Sequence, residues 1–128
     1  MFPASAPPPG EVLCALADVP EGATKGFRFG AGAETFAMFI VRSGAVLRGY
    51  LNVCPHRLLP LDWKPGQFLT ADGTYILCAN HAAIFRIDDG ACLSGPCHGT
   101  GLVAVNLEVS NGKIVMGRWP PASPRARR

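Results

Sequence analysis

Two short pieces of the chain bring metal-binding side chains together, Cys54-Pro55-His56 and Cys78-Ala79-Asn80-His81. Each carries one thiol and one imidazole, and together they use two of the 5 cysteines and two of the 3 histidines. Three chemistries compete for this pattern. A single C-x-H or C-x-x-H arises often by chance, and then the cysteines are small core residues and the histidines polar loop residues. The doubling of the pattern weighs against that reading. Two Cys and two His also satisfy tetrahedral zinc, although zinc knuckles more often pair like ligands. A [2Fe–2S] cluster with two cysteines on one iron and two histidines on the other explains the mixed pairs best. Each piece then gives its Cys to one iron and its His to the other.

Cys54-Pro55-His56, the interval Arg57 to Leu77, Cys78-x-x-His81, then Gly90-x-Cys92 and Gly95-Pro96 resemble the Rieske family. Within it, the likeness is to the soluble ferredoxin-like members. The layout agrees from Glu11 to Gly117, and the specific part is residues 54–97. The resemblance implies one [2Fe–2S] cluster per chain, held by Cys54, His56, Cys78 and His81, and covered by a third loop that Ser94-Gly95-Pro96-Cys97 matches. The high-potential relatives have an extra cysteine in each ligand loop, joined as a disulfide; here Asn80 and Arg57-Leu58-Leu59 offer none. Those relatives also place Ser and Tyr two and four residues after the last ligand His, where this chain has Ala83 and Phe85. The likeness is therefore to the low-potential branch.

Replacing two thiolates by two neutral imidazoles lowers the cluster's negative charge, so adding an electron meets less repulsion than in a four-cysteine ferredoxin. Each ligand imidazole keeps an N–H that can face a partner and lose a proton on oxidation. This makes His56 and His81 the expected electron exit, with Arg57 as a docking contact. With both histidines spent, only His98 remains, too few for the two-His-one-carboxylate iron of an oxygenase. No glycine fingerprint for a nucleotide follows a strand. The resemblance thus implies a soluble one-electron carrier, not a catalyst on its own, taking electrons from a reductase and passing them to an oxygenase or similar acceptor. Alternatives are a small Rieske subunit of a larger reductase, as in nitrite reductases, and a zinc-stabilised interaction module.

The elements that must position these residues read as short antiparallel strands. Asp72-Gly73, Asp89-Gly90 and Asn111-Gly112 are hairpin signals, because Asx-Gly accepts positive φ at both turn positions. Strands are expected in Glu11–Ala17, Thr35–Val41, Ala45–Asn52, Thr74–Cys78, Ile84–Ile87, Leu102–Val109 and Lys113–Met116, with Ser43-Gly44 joining the second and third. No segment keeps a helical period over 11 residues. Residues 20–33 read as a looser connection and Pro60–Gln67 as a loop. The expected fold is all-β, a Rieske-like antiparallel β-sandwich with a cluster-binding subdomain of two ligand loops. Cys14 reads as core, Cys92 and Cys97 as small buried thiols rather than a disulfide, and Trp63 and Phe68 as packing under the first loop.

The totals set the remaining bounds. The 128 residues are 48% apolar and 16% charged, which suits one globular domain over residues 11–119. Residues 1–10, rich in Pro and Ala, are expected to be a disordered leader, and 120–128 a disordered basic tail. The net charge of +3 resides in Arg125, Arg127 and Arg128, and the rest of the chain is balanced. Too few charges cluster for a nucleic-acid partner. No apolar run reaches the roughly 18 residues of a membrane span, and no signal peptide is evident. A cytoplasmic protein with redox partners and no membrane attachment is expected, in a compartment where cysteines serve as ligands.

Overall fold

The computed structural model describes residues 5–55, 60–62, 66–78, 83–95 and 100–119. Ten strands lie among them: β1 Val12–Ala15, β2 Thr24–Phe29, β3 Phe36–Ser43, β4 Val46–Leu51, β5 Tyr75–Cys78, β6 Ala83–Arg86, β7 Cys92–Ser94, β8 Ala104–Val105, β9 Leu107–Ser110 and β10 Lys113–Met116. They form three antiparallel sheets with orders β1-β10-β9, β2-β3-β4-β8 and β5-β6-β7. The all-β sandwich expected from the sequence is the fold observed. Among the described residues no helix is long and apolar enough to cross a membrane.

β3 explains how three sheets share one small chain. Its side chains alternate between two faces. Phe36, Met38 and Ile40 enter a core with Ile114 and Met116 of β10, while Phe39 and Val41 enter a second core with Ile76, Phe85 and Cys92 of the third sheet. All five β3 side chains are fully buried, which is why this strand reads as an unbroken apolar run. Burying each stabilises the fold by roughly 1.5–3 kcal/mol.

Turn chemistry closes the sheets where expected. Ser110 pairs with Lys113 across Asn111-Gly112, whose φ values of 53° and 74° are the two positive angles of a type I′ hairpin. Ser43 pairs with Val46, leaving Gly44-Ala45 as a two-residue link. Asp72 caps its turn by accepting from the Thr70 hydroxyl at 2.7 Å and the Thr74 amide at 3.0 Å. Asp89 accepts from the Ala91 amide at 3.0 Å.

Several expectations need correction. The looser connection of residues 20–33 contains β2, all six of whose residues pair with β3. It is an edge strand with Lys25, Gly26 and Arg28 exposed, and charges and glycine on an edge hide the usual strand signal. β7 was not anticipated either; it has three residues and joins β6 across an irregularity between Ile84 and Phe85. The single strand expected over Leu102–Val109 is two. It breaks at Asn106, whose side chain donates to the Arg118 carbonyl at 3.2 Å and whose carbonyl accepts from Gly117 at 2.8 Å. β8 then joins the middle sheet and β9 the first. At the other end, residues 5–10 pack onto the domain rather than trailing from it. Pro7 is buried, Ala6 touches the first core, and the Gly10 amide donates to the Met116 carbonyl at 2.7 Å.

Candidate metal centre

Cys54 lies three residues beyond the end of β4, and Cys78 is the last residue of β5. Both are buried, and both belong to the core between the middle and third sheets. The fold thus brings into one apolar cluster the two sulfurs that the sequence pairs. His56 and His81, with Arg57, Trp63, Cys97 and His98, lie outside the described residues. Among the described residues no group of three or more His, Cys, Asp or Glu side chains gathers.

Each segment is held at its base. Leu77 pairs with Ile84 and Cys78 with Ala83, so the connection carrying His81 leaves and re-enters the sheet at one rung. Gly95 closes on this rung with φ of 110°, and a Cβ built there would lie 2.9 Å from the Ala83 Cα. Only glycine allows both that angle and that approach. The first segment is held by Asn52, whose side-chain oxygen accepts from the Leu61 amide at 2.8 Å while its amide nitrogen donates to Asp62 at 2.8 Å.

Among the described residues, Cys54 and Cys78 share their core with Phe39, Leu61, Ile76 and Phe85. Ala83 and Phe85 both face this core. The Tyr50 hydroxyl in this core donates to the Ile87 carbonyl at 2.7 Å. Burial pushes the Tyr50 pKa up, so the group remains a donor at neutral pH. Phe68 is buried in the same core and stacks on Phe39 with ring centroids 4.2 Å apart. Cys92 is buried in the same core, with Sγ 3.5 Å from the Ser94 carbonyl. Cys14 packs against the other core, and burial raises its pKa. Two buried sulfurs that meet in one core from separate strand ends fit the thiolate half of a cluster with one iron on cysteine and one on histidine.

The family model of the Rieske [2Fe–2S] domain matches residues 11–113. The chain belongs to the Rieske [2Fe–2S] family. A Rieske domain binds one [2Fe–2S] cluster, a one-electron redox centre, and that cluster is the cofactor of this chain. Solved Rieske structures share the fold. The ferredoxin of carbazole 1,9a-dioxygenase from Nocardioides aromaticivorans IC177 superposes with a TM-score of 0.65 at 22% identity, covering 87% of this chain and 98% of that one. The Sphingomonas yanoikuyae B1 ferredoxin gives 0.62 at 21%, covering 84% and 96%. The terminal oxygenase of carbazole 1,9a-dioxygenase from Novosphingobium sp. KA1 gives 0.67 at 17%, covering 90% of this chain but only 32% of the oxygenase. No curated protein sequence matches.

The Asn52–Asp62 contact escaped the sequence reading. Asn52 looked like the polar end of a strand, and the only hint was that it precedes Cys54 by two positions. Its partner is set by the path of a loop, which no local periodicity records.

Proposed function

We propose that Cys54, His56, Cys78 and His81 hold the Rieske cluster and that the protein is a one-electron carrier, not itself a catalyst. The observation that carries this reading is the burial of Cys54 and Cys78 in one core, each at the start of a Cys/His piece. Two thiolates on one iron and two imidazoles on the other complete the coordination of both metals. His98, the one histidine left over, is too little for a second iron site.

The carrier would receive electrons from a reductase and deliver them to an oxygenase or similar acceptor, leaving through the free N–H edges of the histidines. The solved complex of reduced oxygenase and oxidized ferredoxin in carbazole 1,9a-dioxygenase is an example of such a pair in a protein of the same fold. We place the carrier in the cytoplasm, where a reducing compartment keeps cysteines available as ligands.

Metal analysis tests the ligand set. The purified protein should hold about two irons and two acid-labile sulfides per chain, and the reduced form should show the low average g-value of a nitrogen-ligated cluster. Replacing any one of the four ligands with Ala should abolish or badly destabilise the cluster, whereas Cys14→Ala should leave its spectrum intact. One zinc per chain without sulfide, in protein made with iron available, would overturn the reading. Rapid mixing of the reduced carrier with an oxygenase component should give electron transfer without oxygen activation by the carrier alone.

A further inference from the structure

A small polar network ties together the chain on either side of the first ligand segment. Asn52 is 7% exposed and is the one polar residue buried among the described residues. Its backbone amide donates to the Ala37 carbonyl of β3 at 2.9 Å, fixing it to the central strand. Its side chain accepts from the Leu61 amide and donates to Asp62, both of which follow the first Cys/His piece in sequence. The other carboxylate oxygen of Asp62 accepts from the Gly66 amide at 3.2 Å, and the Gly66 carbonyl accepts from the Thr24 hydroxyl of β2 at 3.1 Å. The chain is therefore pinned before Cys54 and again at residues 61 and 62, with both pins tied to one sheet.

We propose that Asn52, together with Asp62, is a positioning residue for the cluster: it fixes the span of the first ligand segment so that Cys54 and His56 meet the iron pair without rearrangement. The proposal rests on the ligand assignment made above. Asn is suited to the role because its amide offers an acceptor and a donor on one rigid plane, and here the two are used in opposite directions. Leu61 is fully buried, so loss of the Asn52 oxygen strands its amide where water cannot replace the bond. A segment relieved of this constraint samples other spans, and a ligand held in many positions dissociates more readily.

The test compares cluster loss from the holoprotein in excess chelator, followed by bleaching, with thermal unfolding and reduction potential measured on the same samples. Asn52→Ala should lose its cluster about tenfold faster than wild type, about 1.4 kcal/mol in the barrier, with a shifted potential. Asp62→Ala should give a smaller acceleration, because the Asn52–Leu61 bond survives, and it serves if Asn52→Ala does not fold. Ile114→Val, in the opposite core, should lower the melting temperature while leaving the rate of cluster loss and the potential unchanged. If all three variants lose the cluster in proportion to their loss of melting temperature, Asn52 is only a stabilising residue and the proposal fails. Unchanged bleaching and potential in the Asn52 and Asp62 variants would also overturn it. Wild-type protein without iron and sulfide would instead overturn the ligand assignment, and this inference with it.

Discussion

Ala83 and Phe85 end in carbon, in the same core as Cys54 and Cys78, and the nearby Tyr50 hydroxyl is already committed to the Ile87 carbonyl. A hydrogen bond to a cluster sulfur stabilises the electron-rich reduced state more than the oxidised one, and so raises the potential. Because Ala83 and Phe85 place no hydroxyl at these two positions, the potential should lie near the negative end of the Rieske range, around −150 mV. The double change Ala83→Ser plus Phe85→Tyr should raise it. One hydrogen bond to a charged group, at roughly 1.5–3 kcal/mol, corresponds to a shift of order one hundred millivolts when 59 mV is tenfold. Protein-film voltammetry measures both values, and a wild-type potential above about +100 mV, well up the range, would mean that other contacts set it. The cysteine pair was legible in the sequence because mixed Cys/His pieces of this spacing have few chemical uses. The bonds that hold the pieces were not, because Asn52 and Asp62 meet only once the chain between them has turned.

Gly95 packs closely against Ala83, which pairs with Cys78 at the base of the second segment. Gly95→Ala would combine a disfavoured φ with backbone overlap against Ala83, at a cost of about 1–3 kcal/mol. Gly22→Ala is the matched control: φ is 82° there, but nothing lies within 4 Å of an added Cβ. Both variants should melt earlier, and only Gly95→Ala should speed bleaching of the cluster. Equal bleaching would show that the Gly95 contact has no bearing on the site. The Asp72 turn before β5 gives a pH test. Hydrogen bonds from Thr70 and Thr74 hold the Asp72 pKa below its usual value, so its contribution is complete above the ordinary carboxylate pKa of about 3.9. It fades as pH falls through the lower, folded-state value. Asp72→Asn should therefore be less stable than wild type at neutral pH, with the difference closing in acid, as melting curves across pH would show. Asx-Gly pairs made these turns readable, whereas β2 was hidden because an edge strand need not alternate cleanly.

Among the described residues two cores lie on the two faces of the middle sheet, and they should not depend on the cluster equally. The core between the middle and third sheets contains Cys54 and Cys78, so on the proposed ligand assignment cluster binding is coupled to its folding, as metal binding is wherever the ligands are organised only in the folded state. The other core, built from Phe36, Met38, Ile40, Ile114 and Met116, contains neither cysteine. It is closed by the β9–β10 hairpin, whose turn is formed by its own sequence. Amide hydrogen exchange after removal of the cluster by chelation should show this division. Amides of β5 and β6, such as Phe85, should exchange at least about tenfold faster than in the holoprotein, equivalent to about 1.4 kcal/mol of lost local stability. Amides of β10, such as Ile114, should change far less. The middle sheet should behave as a hinge between the two, because β3 contributes Phe39 and Val41 to the weakened core and Met38 and Ile40 to the retained one. Its amides should therefore keep intermediate protection. Equal loss of protection in β6 and β10 would mean that the domain unfolds as one unit and that the cluster supports both cores through the shared sheet.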